Sequence, residues 1–204
     1  QMCIRDRSCM AAIVAGNSDM TFNDCTAECG SYFALTHCVN GWQEEVADIT
    51  VTGGDIHTKK ECVLVKSHNM MLDLCDVNIS SDKGILVHTI VNDDPCATKV
   101  TKDVFGVNVV MTDMDVKGDL LHEDTTREMW VMLNSTQLTG AIQHANVAFD
   151  KGSKWVATAD SDVVFVTDVE PAQIDAPAGV TITAKGAQAG EFALAGGGTL
   201  VVTA

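Results

Sequence analysis

Apolar positions recur along this chain in an eight-residue phrase. In the stretch from 49 to 56, Ile49, Val51 and Ile56 occupy the first, third and eighth places. The stretches starting at Leu72, Val109 and Val131 repeat that placement without gaps, and a degenerate copy starts at Met20 with Phe22 in third place. Two short periods of alternation separated by a fixed change of phase are not one long strand, because strict alternation would run through. The first and third places are predicted to point inward, a bend to fall near the fourth, and the sixth and eighth to point inward again. Gly53-Gly54 shows that bend most openly, since glycine accepts backbone angles other residues avoid.

The starts at 20, 49, 72, 109 and 131 are separated by 29, 23, 37 and 22 residues. A second strand follows 13 residues after each of the first three starts, at Phe33-Ala34-Leu35, Cys62-Val63-Leu64-Val65 and Ile85-Leu86-Val87-His88. Gly118 and Gly140 fall at equivalent places 22 residues apart. A repeat this short, rich in strand-forming residues, predicts an all-β solenoid: a right-handed parallel β-helix of about six to eight coils. The step of 37 reads as one coil plus an insertion near 91–106, where Asn92-Asp93-Asp94-Pro95-Cys96 has loop chemistry. Strands near 179–204, Gly179-Val180-Thr181-Ile182-Thr183 and Gly198-Thr199-Leu200-Val201-Val202, are expected to cap the open end. The segment Gln1-Met2-Cys3-Ile4-Arg5-Asp6-Arg7 reads as translated sequencing-linker sequence and is set aside, leaving 8–204 as one domain with its preceding region and any signal expected to be missing.

The run Thr136-Gln137-Leu138-Thr139-Gly140-Ala141-Ile142, followed by Val147-Ala148-Phe149 and Lys154-Trp155-Val156-Ala157-Thr158, resembles the C-terminal coils of bacterial pectin-lyase-fold, adhesin-like β-helix proteins. The resemblance covers about residues 47–204 and speaks for architecture, because that fold carries lyases, hydrolases, adhesins and tailspikes alike. Its Cys and Met content and the insertion after Ile90 depart from the group.

Composition narrows the function classes. A formal charge of -15, from 28 acidic and 13 basic residues, argues against nucleic acid and anionic membrane surfaces as partners. No apolar run is long enough for a transmembrane helix. Eight cysteines contain no C-x-x-C pair, and setting Cys3 aside leaves an odd seven. Thiols in or near the core are therefore expected, with a disulfide or a metal as alternatives.

Candidate chemistry lies in two polar columns. The fifth place of the phrase holds Asp24, Gly53, Asp76, Asp113 and Ser135, and the seventh holds Thr26, Asp55, Asn78, Asp115 and Gln137. Both columns should face outward, so Asp76, Asn78, Asp113 and Asp115 could meet on neighbouring coils. Oxygen ligands of that kind suit Ca²⁺; otherwise the columns are solvated ladders that hydrogen-bond along the stack. If the chain is a polysaccharide-cleaving enzyme of the resembled fold, a lyase or a glycoside hydrolase, Asp76, Asp113 and Asp115 are its catalytic candidates. The Gly-His-Gly and Arg-Ile-Lys elements of the hydrolases are missing. Arg127, in Thr125-Thr126-Arg127-Glu128, and the six histidines read as surface or turn residues. Trp42, Trp130 and Trp155 read as packed against the coils rather than as a sugar platform. The expected function is a non-enzymatic, adhesin-like segment of a secreted or surface protein, presenting an acidic face to glycans or to host or surface proteins without a required cofactor.

Overall fold

A computed structural model describes residues 10–38, 44–94 and 105–204, together with the backbone of Cys3–Asp6. It is a parallel β-helix. Among the described residues seventeen strands join one sheet and four more form a second; of these strands only Gly190–Ala193 pairs antiparallel, onto Thr199–Thr203. The strands stack as three walls.

On the first wall the eight-residue phrases lie side by side in the register that their sequence alignment predicts. Met20 pairs with Ile49, Ile49 with Leu72, Leu72 with Val109, and Val109 with Val131. The direct pairing of Leu72 with Val109 shows that the 37-residue step is a single coil carrying an insertion; residues 95–104 of that insertion lie outside the described residues. The wall continues through the later residues of Ile142–Phe149 and Ser161–Phe165, strands whose first residues belong to the third wall. Seven strands thus follow one another on this wall, within the expected number of coils.

The phase change is a backbone bend, and it sits at the fifth place, next to the fourth. Asp24, Gly53, Asp76, Asp113 and Ser135 have φ of 47°, 66°, 48°, 53° and 48°. Every coil that carries the phrase therefore turns through the left-handed region at one column. Among residues with a side chain, aspartate is among those that tolerate this region best, because its short polar chain can bond locally. After the bend the alternation resumes inward at Cys25, Val77, Met114 and Thr136, then at Ala27, Ile56, Ile79, Val116 and Leu138, all buried.

The second wall has a seam. Asn78–Ser81 pairs back onto the strand of the preceding coil, Val46–Thr58, whereas Asp115–Lys117 begins a separate sheet with Gln137–Thr139, Lys154–Val156 and Ile174–Asp175. No strand pairing joins Asn78–Ser81 to Asp115–Lys117. The backbone of Cys3–Asp6, set aside in the sequence reading, pairs in parallel with residues 26–29 at the start of this wall.

On the third wall Ala34 pairs with Val63 as the 13-residue offset predicts, but Val63 pairs with Val87, one residue late. A bulge explains the slip: Asp119 pairs with Ile85 while Leu120 pairs with Val87, leaving Leu86 over, and both Leu86 and Val87 are buried. The last parallel strands are Thr181–Lys185 and Thr199–Thr203, and Gly190–Ala193 folds antiparallel onto the latter, covering its edge.

Between the walls runs one apolar cluster from Ala12 to Val202. Gly140 shows how tightly the coils approach. A Cβ there would stand 2.0 Å from the carbonyl oxygen of Gly118, the equivalent glycine one coil back. Only glycine allows the short corner that both positions make.

Candidate functional site

The outward polar columns fall where the phrase puts them. Asp76, Asn78, Asp113 and Asp115 are all exposed, the first pair on one coil and the second on the next. Asp76 donates its backbone N–H to Thr112 O at 3.1 Å, which brings Asp76 and Asp113 to adjacent bends. Asn78 and Asp115 lie on the two strands that flank the unpaired seam, and the Asn78 amide donates to Asp55 Oδ1 on the preceding coil at 3.0 Å. The left-handed bend explains an aspartate at 76 and at 113, and the ladder between coils engages Asn78. Among the described residues no group of three or more His, Cys, Asp or Glu is placed to hold a metal ion.

A second polar cluster was not anticipated. It lies at the corner where the third wall returns to the first, and it corrects the reading of Arg127 as a surface turn. The Arg127 side chain is 0% exposed. Its Nε donates to Asn69 Oδ1 at 3.2 Å and its Nη1 to Thr126 Oγ1 at 3.2 Å, with Asp124 Oδ2 at 3.6 Å. The Asp124 carboxylate, itself buried, accepts from the backbone N–H of Thr126 at 2.9 Å and from the Thr126 hydroxyl. Asn69 stitches three coils: its Oδ1 also accepts from Gly106 N at 3.1 Å, and its Nδ2 donates to Glu45 O at 3.1 Å. Asn17 repeats the first of these bonds lower in the stack, accepting from Val46 N at 2.9 Å. Burial pulls the Arg127 guanidinium below its ordinary pKa, opposed by Asp124 and by the Cys38 sulfur hydrogen-bonded beside it.

Two histidines in the same corner are buried, contrary to the surface reading. His122 bonds Thr89 Oγ1 through Nδ1 and the Arg127 carbonyl through Nε2 at 3.0 Å. Burial pushes its pKa down, partly offset by the Arg127 carbonyl and Asp124. His68 is 1% exposed and neither ring nitrogen has a hydrogen-bond partner. Its pKa is pushed down to about 4, by burial first and then by the Arg127 and His37 charges. His37, His57 and His88 are half-buried and His144 exposed, as expected for outward positions.

The cluster's pH behaviour follows. The unfolded chain binds a proton on His68 near pH 6.5, whereas the folded chain resists it until about pH 4. The neutral ring's contribution is therefore fully present above about pH 6.5 and lost as pH falls toward 4, amounting to about 2–3 kcal/mol. Urea midpoints between pH 7 and 4.5 should fall steeply for the native chain and more gently for His68→Leu; parallel slopes would count against the assignment.

The thiol expectation fits the described cysteines. Cys25, Cys29 and Cys62 are buried and unbridged, and Cys75 is half-buried and unbridged. Burial pushes the Cys62 thiol up to about 12 and raises Cys29 as well, so both are held as neutral apolar groups. The side chain of Cys3, together with Cys9, Cys96 and Trp42, lies outside the described residues. Trp155 is wholly buried and Trp130 half-buried on the outer face of the first wall.

The third wall also carries an open groove of about 430 Å³, lined by Gln143, His144, Asp160, Ser161, Asp162, Thr181 and Thr183. Gln143 pairs with Asp162 and Asp162 with Thr183, so these side chains stand one above another on three successive strands. Asp160 Oδ1 accepts from Thr181 N at 2.8 Å, which holds the groove's rim. No helix among the described residues is long and apolar enough to cross a membrane. No family model, no curated protein and no solved structure matches this chain.

Proposed function

We propose that the chain is a binding segment of a surface or secreted β-helix protein, engaging glycans through the groove on its third wall. The observation that carries this reading is the groove's lining. Gln143, Asp162 and Thr183 offer amide, carboxylate and hydroxyl groups at the spacing of adjacent parallel strands, about 4.8 Å, close to the length of a sugar ring. Such groups exchange hydrogen bonds with sugar hydroxyls, and an open groove suits a polymer better than a small molecule. The acidic side chains favour neutral or cationic sugars over polyuronates, since like charges repel.

A glycan array probed with the full chain should give binding to neutral or amino-sugar polymers. Asp162→Ala with Gln143→Ala should weaken that binding at least about tenfold, the effect of one or two lost polar contacts. No binding by a folded chain, or binding unchanged in the double variant, would reject the groove as the site. Release of reducing ends from a bound polymer would instead support the polysaccharide-cleaving alternative.

A further inference from the structure

On the outer face of the second wall, the register sets three side chains in a hydrogen-bonded line. His57 and Ser80 are direct partners on neighbouring parallel strands, and their side chains meet with Nδ1 and Oγ at 3.1 Å. The other imidazole nitrogen, Nε2, lies 3.0 Å from Asp82 Oδ1. Lys59, two residues on from His57, holds the second carboxylate oxygen at 2.8 Å. A hydroxyl within reach of an imidazole whose far nitrogen is fixed by a carboxylate is the arrangement that activates a serine nucleophile, whatever the order of the residues in the chain.

We propose that Ser80, His57 and Asp82 form an acyl-transfer site that hydrolyses small, exposed acyl esters. Three features of the fold support it beyond the hydrogen bonds. First, the site is open: the His57 side chain is 33% exposed and that of Asp82 46%, so an ester can reach Ser80 Oγ. Second, the Asp82 carboxyl is held below its usual range, first by the Lys59 hydrogen bond and also by His57, so it stays an anion opposite the ring. Third, Ser80 stands at the seam. Asp82 donates its N–H to Thr58 O on the preceding coil, so Ser81, one residue earlier in the strand, directs its N–H the opposite way, toward the side where no strand pairs. The N–H following the nucleophile is well placed to bind the oxyanion of a tetrahedral intermediate.

The chemistry balances with water as the only co-reactant. As the Ser80 Oγ–carbon bond forms, the hydroxyl proton passes to His57 Nδ1 and the carbonyl oxygen becomes the oxyanion. Collapse breaks the ester C–O bond, and the leaving alkoxide takes the proton from Nδ1. Water then attacks acyl-Ser80, giving its proton to Nδ1, and that proton returns to Ser80 Oγ as the acid departs. Asp82 stabilises the imidazolium in both halves. This activity is independent of the glycan groove, which lies on another wall and shares no residue with it.

The test uses the full chain with two probes, p-nitrophenyl acetate and an alkyl fluorophosphonate. The phosphonate should label Ser80, displacing fluoride, as located by peptide mass. Ester hydrolysis should fall about a hundredfold in Ser80→Ala and in His57→Gln, the size of a general-base contribution, and less in Asp82→Asn. Asp55→Asn, two residues before His57 on the same strand, should leave the rate unchanged. These are outward-facing positions, and a circular dichroism spectrum identical to the native chain's confirms that each variant folds. Absence of label on Ser80, or a Ser80→Ala rate equal to the native one, would overturn the proposal and leave the three residues as a cross-coil ladder.

Discussion

Replacing Arg127 by Met is expected to lower the free energy of unfolding by about 3–5 kcal/mol, the cost of leaving a buried partner charge uncompensated. The partner is Asp124, 1% exposed, whose Oδ2 faces the guanidinium at 3.6 Å. Met fills much of the same space, so the loss reports charge and hydrogen bonding rather than a cavity. Asn69 Oδ1 would lose the Arg127 Nε donor and keep Gly106 N. Adding Asp124→Asn should recover a good part of the loss, because the stranded charge is then gone. A double-mutant cycle in urea, fluorescence-detected at pH 7, measures both terms. Equal and additive losses would mean that the two side chains do not depend on one another.

Trp155→Ala should cost about as much, roughly 3–5 kcal/mol, for a different reason. The indole is wholly buried, and its ring centroid lies 6.5 Å from that of Phe149. Its Nε1 donates to Gly140 O at 2.8 Å, at the corner where Gly140 lies against Gly118. Removing the ring opens a cavity between the second and first walls and strips a buried carbonyl of its donor. Trp155→Phe keeps most of the volume and loses the hydrogen bond, so it should fall between native and Ala. A loss under about 1 kcal/mol for Trp155→Ala would be that of a surface substitution and would contradict this packing.

The first-wall register was legible in the sequence because it is a property of one dimension. Ile49, Leu72, Val109 and Val131 share a phrase, and identical inward phases can only be satisfied by stacking them side by side. The insertion after Ile90 was legible for the same reason, since the phrase resumes in phase at Val109. Where a coil gains one residue the fixed offset fails, as at Leu86. The left-handed bend carried a signal, Asp or Gly or Ser at the fifth place, but that composition equally suits ligand oxygens. The φ angles show the bend itself, which the residue types alone do not.

The corner cluster was missed because Arg127 was weighed within Thr125-Thr126-Arg127-Glu128, a polar stretch that reads as solvent-facing. Its partners are Asp124 in the same turn, Asn69 about two coils back and Cys38 about three coils back. Extending the phrase four residues upstream of its starts would have aligned Glu45, His68 and Arg127 in one column. The pairing of Ser80 with His57 was equally implicit, since the offset of 23 residues that aligns Leu72 with Ile49 also aligns those two.

The central claim is that the outward acids of the fifth column are bend formers. The most direct measurement compares urea unfolding of Asp113→Gly and Asp113→Val with the native chain. Asp113 has φ of 53°, where glycine is at ease and a β-branched residue is not. The account predicts that Asp113→Gly stays within about 0.5 kcal/mol of native or exceeds it, while Asp113→Val loses about 1–2 kcal/mol. Equal stability of the two variants, or a loss in Asp113→Gly as large as in Asp113→Val, would contradict it.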